Sequence, residues 1–135
     1  MSRSGYTDDC DGIALNLWRG AVDRALRGAR GQHFLRKLRA SLDAMPVKRL
    51  ISEVISDDAG EVCALGSVDP KAPIDPDDRD QVAKYFGIAP AMAAEIAYEN
   101  DEGAYRQHRA ETPEERWTRM RAWVDKQIVP YEDEV

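Results

Sequence analysis

Apolar residues recur at intervals of three and four through the first third of the chain, which predicts two amphipathic helices. The first helix is expected to start near Thr7, whose hydroxyl can cap it ahead of two aspartates. The second is expected over Arg30–Ala44 and is ended by Pro46. Because the link is short, we predict an antiparallel helical hairpin over residues 8–45. The predicted buried positions are Ala14, Leu17, Trp18, Ala21, Val22, Ala25, Phe34, Leu35, Leu38, Leu42 and Met45.

The hydrophobic period changes after this pair of helices. Residues 50–55 are rich in β-branched side chains, and residues 61–68 alternate loosely between apolar and polar. The intervening segment, Ser56-Asp57-Asp58-Ala59-Gly60, has the composition of a tight turn. The pattern therefore predicts a β-hairpin within residues 48–68 that lies against the helices.

Three further helices are predicted within residues 76–128. The first opens on Asp75-Pro76-Asp77-Asp78 and ends at Gly87, and the second covers about Pro90–Asn100. The third has the clearest start in the chain, because Thr112-Pro113-Glu114-Glu115 is a capping box with proline at the first helical position.

The predicted fold class is α+β and mostly α, with about five helices and one β-hairpin around a single core. The chain has 135 residues, of which 43% are hydrophobic, enough for one domain over residues 1–135 that folds without a disulfide or a metal. Residues 129–135 are expected to form an acidic tail. A cytoplasmic protein is predicted, since two cysteines make no disulfide framework and no apolar run approaches the roughly 20 residues that span a membrane.

The net charge of −6 is unevenly distributed. Residues 1–50 carry ten Lys and Arg against five Asp and Glu, whereas residues 51–135 carry nine against twenty. The favoured interpretation is that the basic residues cover solvated helix faces and pair with the acidic half. Two alternatives stay open. The basic half could bind nucleic acid, or the acidic half could mimic nucleic acid and occupy a basic groove on a partner. If a partner surface exists, we expect it at Arg24, Arg27, Arg30, Arg36 and Lys37.

Residues 81–97 have the spacing of a helix-turn-helix, with Gly87 at the turn. A recognition helix would present polar or basic side chains to base edges, but this one offers alanines, Met92 and Glu95. We therefore favour a helix corner without DNA contact, and keep a DNA-binding regulator as the alternative function.

Candidate catalytic and metal-binding residues are few. Cys10, Cys63, His33 and His108 are too far apart in sequence to form a recognisable metal site, so no metal is predicted. Cys63 is expected to be a small buried residue. Cys10 falls in the first turn of a predicted helix, which can lower a thiol pKa, but a structural role is favoured. No phosphate loop or dinucleotide fingerprint occurs, so neither a cofactor nor an enzymatic activity is predicted.

Several segments, spread over nearly the whole chain, resemble a family of small bacteriophage and prophage accessory proteins of unknown function. They are Met1-Ser2-Arg3-Ser4-Gly5-Tyr6, Trp18-Arg19-Gly20-Ala21-Val22, Lys48-Arg49-Leu50-Ile51, Gly60-Glu61-Val62-Cys63-Ala64-Leu65-Gly66, Phe86-Gly87-Ile88-Ala89 and Thr112-Pro113-Glu114-Glu115-Arg116-Trp117. The resemblance implies a bacterial host cytoplasm as the setting. It also implies action by binding a host or defence-system protein, for example as an anti-CRISPR-like inhibitor.

Overall fold

The computed structural model describes residues 3–4, 12–104 and 110–130. Within these residues the fold is all-helical, with six helices and no strand. The helices are α1 (Gly12–Arg27), α2 (Ala29–Ala44), α3 (Ala64–Val68), α4 (Arg79–Phe86), α5 (Pro90–Glu102) and α6 (Pro113–Gln127). None of these six helices is long and apolar enough to cross a membrane.

Helix α5 lies at the centre of the fold. It packs against α1, α3, α4 and α6, and it is buried on nearly every side. The small alanine side chains of α5 let the surrounding elements approach closely, and its buried Glu95, Glu99 and Asn100 need polar partners from those elements. The largest fully buried side chains of the described residues include Met92 and Ile96 of α5 itself, and Leu35, Leu38, Leu42, Leu50, Leu65 and Met120 from other parts of the fold.

The predicted pair of N-terminal helices is present, although the expected start at Thr7 lies outside the described residues. Gly28 alone separates α1 from α2. A Cβ atom at Gly31 would lie 1.9 Å from the carbonyl oxygen of Ala25, so only glycine allows the first turn of α2 to pass this close to α1. From this corner α1 extends over α5, while α2 packs against α3 and α6.

The predicted α+β class is wrong, because the β-hairpin expected within residues 48–68 does not form. Residues 50–55 are irregular, and residues 64–68 are the short helix α3. The only ladder-like contact in the described chain is an isolated antiparallel bridge between Ser56 and Val62.

Side chains from the helices satisfy the backbone groups that a β-ladder would have paired. Asn100 on α5 donates its Nδ2 to the carbonyl oxygen of Ile51 at 3.0 Å, and its Oδ1 accepts the backbone N–H of Ala64 at 3.1 Å. Arg116 on α6 donates to the carbonyl oxygen of Leu50 at 3.1 Å. The two segments still share backbone bonds, from the N–H of Ile51 to the carbonyl oxygen of Val62 at 2.9 Å and from the N–H of Cys63 to that of Ile55 at 3.1 Å, and the side-chain contacts satisfy further backbone groups.

In the C-terminal half, the helices begin and end close to the positions predicted from the sequence. Asp78 caps α4 by accepting the N–H groups of Asp80 and Gln81, so α4 begins at Arg79, slightly later than the acidic run suggests. Gly87 ends α4 in the left-handed conformation, with φ of 72°. The capping box predicted at the start of α6 is present in full. The predicted acidic tail lies mostly outside the described residues.

Candidate functional site

The arginines of the described segments have several kinds of partner, and the guanidinium of Arg79 lies over the ring of Trp18, 5.1 Å from its centroid. Most of these arginines pair with carboxylates. These pairs are Arg3–Asp101, Arg19–Glu95, Arg39–Asp125, Arg49–Glu61, Arg116–Glu111, Arg119–Glu111 and Arg121–Asp43. Among the ion pairs of the described residues, by contrast, none involves Arg24, Arg27 or Arg30.

These three arginines are neighbours at the junction of α1 and α2. Arg24 and Arg27 lie in the last turn of α1, Arg30 lies in the first turn of α2, and all three are exposed. We call Arg24, Arg27 and Arg30 the basic corner. The sequence analysis named all three.

The positions of these charges differ in their effect on helix stability. Arg24 and Arg27 are favourably placed, because the C-terminal end of a helix carries a partial negative charge. Arg30 lies instead at the positive N-terminal end of α2, which has no acidic residue in its first turn and no side-chain cap from Gly28. Local helix stability therefore does not explain why a cation occupies position 30.

The two other predicted partner residues do not join the basic corner. Arg36 is half-buried and donates its Nη2 to the carbonyl oxygen of Val129 at 2.6 Å, which ties the middle of α2 to the segment after α6. Lys37 is exposed and lies near Asp69. The pKa of Asp69 is lowered mainly by the hydroxyl of Tyr85, with a smaller contribution from the charge of Lys37.

An exposed apolar residue extends this surface along α1. Leu17 is 71% exposed, although its spacing predicts a buried position. Leu17, Gly20 and Arg24 recur at three and four residues and so share one face of the helix. The nearest atom that a Cβ at Gly20 would meet, apart from the backbone of its own helix, is Nη1 of Arg24 at 3.3 Å. The guanidinium of Arg24 therefore lies over Gly20, and no other element approaches this glycine within 4 Å of a Cβ built there.

The helix corner predicted over residues 81–97 is formed, but its second helix is inaccessible. Ile88 donates its N–H to the carbonyl oxygen of Ala83 at 3.0 Å across the Gly87 turn. The buried residues of α5 include every position from Ala91 to Ala97. A recognition helix must expose one face to the major groove, so α5 cannot act as one in this fold.

No group of His, Cys, Asp and Glu side chains in the described ranges could hold a metal ion. Cys63 is fully buried, as its position in the pattern predicts, and His33 is exposed. Cys10 and His108 lie outside the described residues.

A buried ion-pair network was not found by the sequence analysis. Arg3 spans the carboxylate of Asp101, with Nε to Oδ2 at 2.7 Å and Nη2 to Oδ1 at 2.9 Å. Burial lowers the pKa of Arg3, but the neighbouring Cys63 and Asp101 more than offset this effect, so the net pKa lies above its ordinary value. The guanidinium therefore stays charged although only 2% of the side chain is exposed.

Other acidic groups of the central helix are neutralised in the same way by different segments. Arg19 of α1 makes two hydrogen bonds with Glu95, at 2.8 and 2.9 Å. Arg119 of α6 donates to the carbonyl oxygen of Glu99 at 2.6 Å and lies 3.9 Å from its carboxylate. The signal in the sequence was the presence of acidic residues within an otherwise apolar helix. Their arginine partners are distant in sequence and could not be assigned.

Comparison with protein-family models, with curated proteins and with solved structures finds no match to this chain. The resemblance to phage accessory proteins therefore stays a prediction.

Proposed function

We propose that this protein is a non-enzymatic phage or prophage accessory protein that binds an acidic surface of a host or defence-system protein. The observation that carries the proposal is the basic corner, where Arg24, Arg27 and Arg30 are exposed and take part in none of the ion pairs of the described residues. A partner carboxylate could meet these guanidinium groups in a bidentate geometry without breaking any existing ion pair.

The placement of Arg30 supports a binding role over a purely structural one. Arg30 places a cation at the positive end of a helix, which is locally unfavourable. A residue placed unfavourably in this way is a candidate for a functional role. Leu17 adds an apolar contact on the same side of α1 as Arg24. Protein interfaces commonly combine an apolar anchor with arginine, which suits this surface.

The alternative of a DNA-binding regulator is less favoured. Burial of α5 removes the helix that would enter a groove. Three arginines also make a small footprint for binding by phosphate contacts.

The test compares two triple variants of the tagged full-length protein in infected host lysate. The first carries Arg24→Glu, Arg27→Glu and Arg30→Glu. The matched control carries Lys71→Glu in the segment before α4, Lys84→Glu in α4 and Lys126→Glu in α6, which changes the net charge equally at exposed positions. We expect a stoichiometric protein partner that survives nuclease treatment and is lost only from the arginine variant.

Binding is then measured with the purified partner at increasing salt concentration. The proposal expects affinity to fall with salt for the unmodified protein and for the lysine variant. Capture that disappears with nuclease would favour the nucleic-acid alternative instead. Equal capture by both triple variants would show that the basic corner is not the binding surface.

A further inference from the structure

Helix α2 presents one exposed face from its first turn to its last residue. The rest of the helix is buried or half-buried at most positions, and it packs against α1, α3 and α6. Five exposed positions recur at alternating intervals of three and four residues, which places them in one stripe along the helix. We call this stripe the outer face of α2, and its residues are Arg30, His33, Lys37, Ala40 and Ala44.

The two halves of the outer face differ in chemistry. The first half carries Arg30, His33 and Lys37, and none of these three takes part in an ion pair among the described residues. The second half carries only the methyl groups of Ala40 and Ala44. The outer face therefore offers nitrogen donors for carboxylates at one end and a flat apolar contact at the other.

The neighbouring helices lie beside the outer face and not over it. On one side, Asp43 of α2 pairs with Arg121 of α6. On the other side, the ring of Phe34 packs edge to face against that of Phe86 in α4, with 5.7 Å between the ring centroids. Since these contacts use the flanking positions of α2, another segment could lie along the outer face without breaking them.

The spacing of the outer face suits a helix better than an extended segment. Side chains on one face of a second helix recur at the same intervals of three and four residues, whereas those of a strand alternate every two residues. Small side chains at a contact also let two helix axes approach closely. From residue 30 to residue 44 the outer face is about 21 Å long, at roughly 1.5 Å per residue, which is the length of a four-turn contact.

We propose that the outer face of α2 binds an α-helical segment of the protein partner, with carboxylates at the end that meets its basic half and apolar side chains at the end that meets its alanines. This inference rests on the proposed function, because Arg30 also belongs to the basic corner, and it adds the form of the segment that is recognised. Charge complementarity selects the acidic end, and an apolar stripe completes the contact in the manner of a helix laid along a groove.

The first test uses a fluorescein-labelled, alanine-based peptide as the probe. One face of its helix carries three glutamates followed by two leucines, spaced three and four residues apart to match the outer face. The control peptide has the same composition, with these five residues distributed around the whole circumference. We expect the matched peptide to bind the full-length protein saturably and about tenfold more tightly than the control peptide, measured by fluorescence anisotropy at low salt.

Variants of the protein locate the contact. Ala40→Glu places a bulky negative charge in the middle of the outer face, and should weaken binding of the matched peptide about tenfold. Ala122→Glu in α6 is the matched control, since it makes the same change at another exposed helical alanine, and it should leave binding unchanged. Circular dichroism checks that both variants fold. In the unmodified protein, the matched peptide should shift the backbone NMR signals of His33, Lys37 and Ala40.

Equal binding of the two peptides, equal effects of the two glutamate variants, or absence of binding would overturn the inference. Concentration-dependent dimerisation of the protein that Ala40→Glu abolishes, measured by analytical ultracentrifugation, would assign the outer face to a second copy of the chain and overturn it too. NMR shifts confined to the basic corner would also contradict it, although the proposed function would then stand.

Capture from infected host lysate separates this inference from the proposed function. Loss of the partner from both the triple arginine variant and Ala40→Glu, but not from Ala122→Glu, supports both. Loss from the arginine variant alone supports the proposed function and overturns the inference. Loss from Ala40→Glu alone supports the outer face and contradicts the basic corner as the binding surface.

Discussion

Arg3 and Asp101 lie 98 residues apart in the chain and form a bidentate ion pair in which both side chains are less than one tenth exposed. This pair joins the N-terminal segment to the C-terminal end of the central helix. Removing one partner of a buried pair leaves an uncompensated charge, which costs far more than the loss of an exposed pair.

Asp101→Ala is therefore expected to lower the free energy of unfolding by about 3 kcal/mol, measured by urea denaturation. The control is Asp125→Ala, which breaks exposed pairs with Arg39 and Arg121 and should cost less than about 1 kcal/mol. Equal costs for the two variants would mean that the Arg3 pair adds no more stability than a surface contact.

Asn100 is expected to be more important for stability than an ordinary polar residue. Asn100→Ala leaves the carbonyl oxygen of Ile51 and the N–H of Ala64 without their partners, and should lower the free energy of unfolding by about 2–4 kcal/mol. Hydrogen exchange should also show faster exchange at the Ala64 amide. The exposed Asn16→Ala provides the control, and a similar loss in both variants would contradict the role assigned to Asn100.

Two glycines should respond to alanine substitution in opposite directions. Gly31→Ala places a Cβ against the carbonyl oxygen of Ala25, so it should lower the melting temperature strongly or prevent folding. Gly20→Ala meets only the flexible end of Arg24, and should raise the free energy of unfolding by about 0.5–1 kcal/mol because alanine is the better helix former. Thermal unfolding of both variants would check this, and destabilisation by Gly20→Ala would contradict it.

The hydrogen bond between Tyr85 and Asp69 should make stability depend on pH at both extremes. It lowers the pKa of Asp69, so its contribution is present above the unfolded-state pKa of the carboxyl and is lost as pH falls through the folded-state value. The same bond raises the pKa of Tyr85, so that contribution is lost as pH rises through the raised value.

Tyr85→Phe is expected to flatten both limbs of a plot of urea midpoint against pH. The variant Asp69→Asn should alter the same two limbs, since it removes the other partner of the bond. A Tyr85→Phe profile that superimposes on that of the unmodified protein would show that the bond does not contribute.

Sequence patterns found the helices with strong local signals. Pro46 after α2, the left-handed Gly87 after α4 and the capping box at Thr112 act through neighbouring residues, so their effect is readable without the fold. The same local pattern misassigned Leu17, which has helical spacing but faces solvent.

The basic corner could be predicted in part. Its three arginines are close in sequence and share a helix junction, so composition and spacing sufficed to select them. Arg36 could not be separated from them by sequence, because its contact with the Val129 carbonyl oxygen depends on how α6 ends beside α2.

By itself, the sequence determined where most helices begin and end and which chain segment carries the exposed basic charge, because caps, glycines and charges act over a few residues. The tertiary structure alone decided that residues 48–68 form no β-hairpin and that Asn100 and Arg116, from other helices, satisfy part of the backbone of this segment. It also decided which arginines are paired. Hydrogen bonds and ion pairs between distant residues depend on which surfaces pack together, and that is settled only when the whole core assembles around α5.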